Sequence, residues 1–170
     1  MSIASQAMLP DSGVRFQDRN ALVFPGLSGF YRIARPISYA VLRVAFGAIL
    51  LTHGLPKVLG TNHGSTVNPL QVVTAFLDKT LHFPAPALFG YFAAFLETGG
   101  AVMLACGLLT RIVTPMIAVE MVVACAFHYP AFAVTNQGLE YPLLMGFLAL
   151  YISFHGGGRF SADRLIGREV

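Results

Sequence analysis

Tryptophan is absent from the 170-residue sequence, cysteine occurs twice, and only 11% of the residues are charged. Each shortage excludes something. Cys106 and Cys125 lie in apolar segments without a Cys-x-x-Cys spacing, so neither a disulfide scaffold nor a thiol-redox motif is expected. On the helices read below they differ in depth by roughly 14 Å, too far for one bridge. A charged fraction so far under the ~25% of soluble domains argues against a water-soluble fold. The 55% hydrophobic content and mean hydropathy of +0.66 place the chain in a membrane. No dinucleotide, P-loop, zinc-hydrolase or nucleophile-elbow pattern is present, and no metal site is expected. The formal net charge of +3 comes from arginines near the ends, without a basic patch interleaved with aromatics. Nucleic acid is therefore not an expected partner. No charged, apolar and small-residue leader opens the chain, so the first apolar helix is expected to direct insertion.

What is present is long apolar runs. Four of them, at about 37–58, 86–109, 112–133 and 139–155, come near the ~20 residues that a spanning helix requires. Residues 1–35, with Pro10, Gly13, Pro25 and Gly26 among several arginines, read as a tail outside the membrane. Its last part, GFYRIARPISY, suits the headgroup region. The connection between the first two runs includes NPLQVVTAFLDKT, whose spacing predicts a short amphipathic helix on the membrane surface. Thr110 and Arg111 mark a tight second turn, residues 135–138 a polar third one, and Gly156, Gly157 and Gly158 a helix end. Arg15, Arg19, Arg32, Arg35, Arg111, Arg159, Arg164 and Arg168 fall on one side, against Lys57 and Lys79 on the other. By the positive-inside rule both termini are cytoplasmic. The expected fold class is all-α: a polytopic membrane protein with a four-transmembrane-helix bundle. It comprises a cytoplasmic tail 1–35, a membrane domain 36–158 and a cytoplasmic tail 159–170.

The polar residues inside the runs are the candidates for function. Residues 43–57, RVAFGAILLTHGLPK, put Arg43, Gly47, Leu50, His53, Gly54 and Lys57 on one helix stripe roughly 120° wide. Charges within a span are costly and usually purposeful. At ~1.5 Å rise per residue, Arg43, Glu97 and Glu120 come out at depths where they can meet, whereas His53, Lys57, His128 and Glu140 form an outer layer. Arg43 is expected to pair with a carboxylate, and of Glu97 and Glu120 one is left in excess, carrying a proton. Plainer readings stand beside these. Arg43 with Glu97 fixes helix register, Lys57 snorkels, Glu140 complements a helix dipole, and His128 beside Tyr129 and Pro130 is interfacial. His53 and His128 share a depth, but that alone is a weak reason for haem, which is not expected.

Three stretches resemble the DoxX/DoxD-like integral membrane proteins: HGLPKVLG at 53–60, FPAPALFGYFAAFLETGGAVMLACGLLTR at 83–111, and GGGRFSAD at 156–163. The likeness spans about residues 37–165. It implies a multi-pass protein of a prokaryotic inner membrane, often tied to redox systems. Relatives include the membrane subunit of a thiosulfate:quinone oxidoreductase and MauE-like maturation proteins. It also implies that Arg43, His53, Lys57, Glu97 and Glu140 are the family's polar positions.

The expected function is a membrane subunit of a redox complex. A quinone headgroup would enter a polar interhelical cleft, with Arg43, His53, Lys57, Glu97, Glu120, His128 and Glu140 as candidate ligand-binding residues. No electron carrier is evident, so electrons would come from protein partners. The competing readings are a non-catalytic anchor or assembly factor and a small proton-coupled transporter.

Overall fold

The computed structural model describes residues 23–61 and 67–167. Their contacts divide the chain into two units, one ending at Arg35 and one beginning at Pro36. Most of the expected tail, residues 1–22, lies outside the described residues. The remainder of the first unit is a 3-10 turn at Pro25–Leu27 and the opening of helix α1. Every secondary-structure element among the described residues is helical.

Helix α1, Ser28–Leu59, starts well ahead of the expected residue 37 and contains Pro36 and Pro56. Its aromatic and arginine-bearing opening is helical, and Pro36 does not interrupt it. Gly60, at φ +67°, takes the left-handed conformation just past its end. Helix α2, Pro69–Lys79, is the predicted short helix. Asn68 caps it by accepting the Leu70 N–H at 2.9 Å, and Pro69 stands where a missing donor costs nothing.

Helix α3, Pro86–Cys106, is wound as a wider π turn over Leu96–Gly100. Gly99 and Gly100 carry no side chain to crowd that turn, and the Thr98 hydroxyl donates back to the Ala94 carbonyl at 2.7 Å. The helix ends at Gly107, φ +70°, where the Leu108 N–H reaches the Met103 carbonyl at 2.8 Å. The second turn is therefore residues 107–109. Thr110 and Arg111, expected in the turn, already open helix α4, Thr110–His128.

The next connection is longer than its polar residues suggested. It runs over 129–139, with a cis Tyr129–Pro130 bond and a 3-10 turn at Val134–Asn136. Helix α5, Glu140–His155, stops at Gly156 as expected, and a short helix α6, Ala162–Ile166, follows. Helices α1, α3 and α4 are long and apolar enough to cross a membrane. At 16 residues α5 is about 24 Å long, shorter than these three.

Within the second unit α1 runs antiparallel to α3. Contacts pair Gly47 with Ala101 and Ala105, and Gly54 with Glu97. A side-chain carbon at Gly47 would stand 2.5 Å from the Ala101 carbonyl oxygen, and one at Gly54 2.6 Å from that of Glu97. Glycine at these two positions is what lets the backbones approach. On its other side α1 meets α5, with Tyr39 against His155 and His53 against Tyr141. Helix α4 packs on both α3 and α5, as Val113 by Gly100 and Met121 by Gly146 show. Phe46, Leu50, Leu104, Ile117, Met145 and Ile152 fill the space among them.

Candidate functional site

Two polar assemblies stand at different levels of the second unit. In the first, Lys57 donates to Oε2 of Glu97 at 2.5 Å. Lys57 lies two residues before the end of α1, whereas Glu97 lies about 17 Å into α3. They meet because α3 projects beyond the end of α1. Helix α2 packs on that projecting part, with Thr74 and Leu70 against Gly90. The π turn sets the level of Glu97, and Gly54 brings its backbone against α1 one helical turn from Lys57.

Glu120 of α4 faces the same place. Both of its carboxyl oxygens are sealed from solvent and have no hydrogen-bond partner. Glu97 and Glu120 lie in the wall of a cavity of ≈ 230 Å³ between α2, α3 and α4. The rest of that wall is apolar and rich in phenylalanine: Phe76, Phe83, Phe89, Phe92 and Phe127. Phe76 meets Phe127 edge to face at 5.0 Å, and Phe83 meets Phe89 likewise. A cavity that is apolar apart from the residues Glu97 and Glu120 in its wall is shaped for an uncharged ring or chain. No basic residue lines it, so an anionic ligand has nothing to pair with there.

In the second assembly Arg43 is only 1% exposed. Its guanidinium donates to the carbonyls of Leu104, at 3.4 Å, and Phe160, and lies 5.6 Å from the Tyr39 ring centre. The expected pairing of Arg43 with Glu97 or Glu120 is therefore corrected. Glu97 has Lys57, and Arg43 donates through Nη1 and Nη2 to main-chain oxygens of Leu104 and Phe160, while its buried Nε has no partner. Gly107 lies against its guanidinium, where any side chain would collide. Residues 156–163 fold over this end. The Tyr39 hydroxyl donates to the Gly156 carbonyl at 2.6 Å, and Asp163 accepts the N–H groups of Leu109 and Thr110, the first turn of α4.

The expected outer layer of His53, Lys57, His128 and Glu140 does not assemble. The exposed His53 ring lies 6.0 Å from that of Tyr141. His128 holds the Gln137 carbonyl through Nδ1 at 2.5 Å, and Glu140 accepts the Val134 N–H at 2.5 Å. Both of the latter brace the 129–139 connection, each through one polar atom bonded to main chain. Of the seven candidates, Lys57, Glu97 and Glu120 come together. Cys106 and Cys125 are both free.

Sequence reasoning did not find the phenylalanine wall or Asp163. The first comes from three helices and a connection without any shared spacing. The second sits in the GGGRFSAD stretch, read only as part of a resemblance.

A DoxX family model matches residues 38–130. The chain belongs to the DoxX family. With three helices able to cross a membrane, this DoxX protein is a multi-pass membrane protein. No curated protein and no solved structure matches it. The matched segment holds Lys57, Glu97, Glu120 and the whole cavity wall, and it ends before α5 and residues 156–163.

Proposed function

We propose that this DoxX protein is a membrane subunit of a redox complex in a prokaryotic inner membrane, binding a quinone headgroup in the cavity between α2, α3 and α4. The single observation that carries the reading is the unpartnered carboxyl of Glu120 inside a wall of phenylalanines. A quinone ring stacks on aromatic side chains and offers a carbonyl oxygen as acceptor. Glu120, not Glu97, is the proton-bearing acid, because Glu97 already has the Lys57 ammonium as counter-ion. Reduction of a quinone consumes protons and electrons, and the electrons come from a protein partner. In this reading α5 completes a four-helix membrane bundle, and the arginine count supports cytoplasmic termini. Residues 1–35 and 159–170 then lie on the cytoplasmic side, residues 159–163 being engaged with Arg43 and the start of α4.

The test is binding of a fluorescent or spin-labelled quinone analogue to the full chain in lipid nanodiscs. Wild type is expected to bind saturably, and Glu120→Leu or Phe92→Ala to weaken binding at least about tenfold, the scale of one lost polar or aromatic contact. No saturable binding by wild type sinks the proposal and leaves an anchor or assembly role.

The same unpartnered carboxyl favours a second reading, proton-coupled transport of an apolar solute. A proton-driven flux in proteoliposomes that is lost in Glu120→Gln would replace the quinone reading.

A further inference from the structure

The segment that closes over Arg43 has two sides. On its inner side the Phe160 carbonyl accepts from Arg43, and the Asp163 carboxylate holds the N–H groups of Leu109 and Thr110. The Asp163 N–H donates in turn to the Gly107 carbonyl at 3.0 Å. The outer side is of another kind. Phe160 is 57% exposed, Leu165 90% and Ile166 63%, and Arg159 and Arg164 beside them are exposed as well. Around α6, Leu165 stands about 200° from the buried Asp163, so this helix turns an acid inward and an apolar side chain outward.

Neither water nor hydrocarbon suits such a surface. Large apolar groups and arginines are both accommodated at the boundary between lipid headgroups and acyl chains. The segment is held at that level, because Asp163 fastens it to the first turn of α4, a helix long and apolar enough to cross a membrane. Arg111, in the same first turn, lies against Gly156 and adds a third cation at this end. Among the described residues 156–167 the only acid is Asp163, which is buried against main chain. The outer side is therefore cationic and apolar together.

We propose that residues 159–166 are a docking site for anionic phospholipid. The Arg159 and Arg164 guanidinium groups pair with lipid phosphates, and Phe160, Leu165 and Ile166 enter the acyl boundary. Charge complementarity selects anionic over zwitterionic headgroups, and the guanidinium fork matches a phosphate. Because the same segment carries an acceptor for Arg43 and the cap of α4, lipid bound on its outer side stabilises the closure on its inner side. The cavity and its ligand play no part in this inference.

The experiment is amide hydrogen exchange, read by mass spectrometry, on the full chain without quinone. It compares nanodiscs of phosphatidylcholine with nanodiscs containing about one-third phosphatidylglycerol. The reporters are peptides with Leu109, Thr110 and Asp163, whose N–H groups are bonded across the closure. Anionic lipid is expected to slow their exchange in wild type at least about tenfold, the scale of two arginines at an anionic surface. Arg159→Gln with Arg164→Gln should exchange alike in the two bilayers, within about twofold. Leu165→Ser with Ile166→Ser should cut the slowing about threefold or more, through lost apolar insertion. Both variants feel the same surface potential as wild type, so a slowing that persists undiminished in them comes from local acidity and overturns the site. Equal wild-type exchange in the two bilayers also overturns it and leaves the patch to a protein partner. Equal slowing by soluble glycerol phosphate in phosphatidylcholine nanodiscs would replace the lipid with a free phosphate ligand.

Discussion

Asp163 accepts the backbone N–H of Leu109 at 2.7 Å and that of Thr110 at 3.0 Å, from more than fifty residues further along the chain. A buried carboxylate on two otherwise unbonded donors at a helix start is a charge-assisted cap. Leu109 has φ +49°, a conformation that a leucine adopts only where its surroundings hold it, and this cap is what holds it. Replacing Asp163 with alanine should lower stability by about 1.5–3 kcal/mol, read as a fall in melting temperature in detergent. An unchanged melting temperature would show that the cap contributes nothing.

Arg43 spans two main-chain carbonyls on different segments, which a fork-shaped guanidinium can do and a point-charge ammonium cannot. Lys at this position should therefore not rescue. Arg43→Lys is expected to destabilise by about 1–3 kcal/mol, because one carbonyl loses its donor. It should also expose residues 156–163 to limited proteolysis, and wild-type resistance to cleavage would count against the arrangement.

Glu120 illustrates a conflict between stability and use. A sealed acid without a partner is costly to bury, and leucine of similar length removes that cost. Glu120→Leu should raise stability by about 1–3 kcal/mol and weaken quinone-analogue binding at least about tenfold. A melting temperature below wild type would mean that the carboxyl has a partner after all.

Gly54 sets the spacing on which the ion pair depends. An added side-chain carbon would lie 2.6–2.7 Å from Glu97, and the nearest atoms include backbone, which cannot swing aside. Gly54→Ala should cost about 1–3 kcal/mol through overpacking. It should also separate Lys57 from Glu97, visible as a loss of the stability difference between wild type and Glu97→Gln in that background. Additive effects of the two substitutions would contradict the coupling.

His53 gives the contrasting case. It was legible as a polar group on a helix stripe, yet it faces Tyr141 and not the cavity. His53→Ala should leave analogue binding within about twofold of wild type, since surface changes are usually small. A larger loss would move the binding site toward α5.

The helices were readable because each needs only local information: apolar length, the spacing of NPLQVVTAFLDKT, and the glycines 156–158 at a helix end. The partners of the buried charges were not. A helical wheel gives the face on which Arg43 lies, but its acceptors are carbonyl oxygens of Leu104 and Phe160, which no residue type announces. The depth argument failed for Lys57 because it aligned every helix at a common boundary. Helix α3 extends past α1, and the long lysine side chain covers the remaining gap to Glu97. Glu120 was legible as a deep acid, one of two carboxyls of which one was surplus. That its surroundings are phenylalanines from α2, α3, α4 and residue 83 was not, since those positions share no period.

Arg43 and Phe160 are separated by 117 residues, and that number sets a clock on biogenesis. At a synthesis rate of ~5–20 residues per second, roughly 6–23 seconds pass between their emergence from the ribosome. During that interval the first helix holds a cation whose later acceptor has not been made, and the N–H groups that open α4 wait for Asp163. The nascent chain must therefore park Arg43 elsewhere, in water, at lipid headgroups or in the insertion machinery. Residues 156–163 can close over this end only once nearly the whole chain has been made.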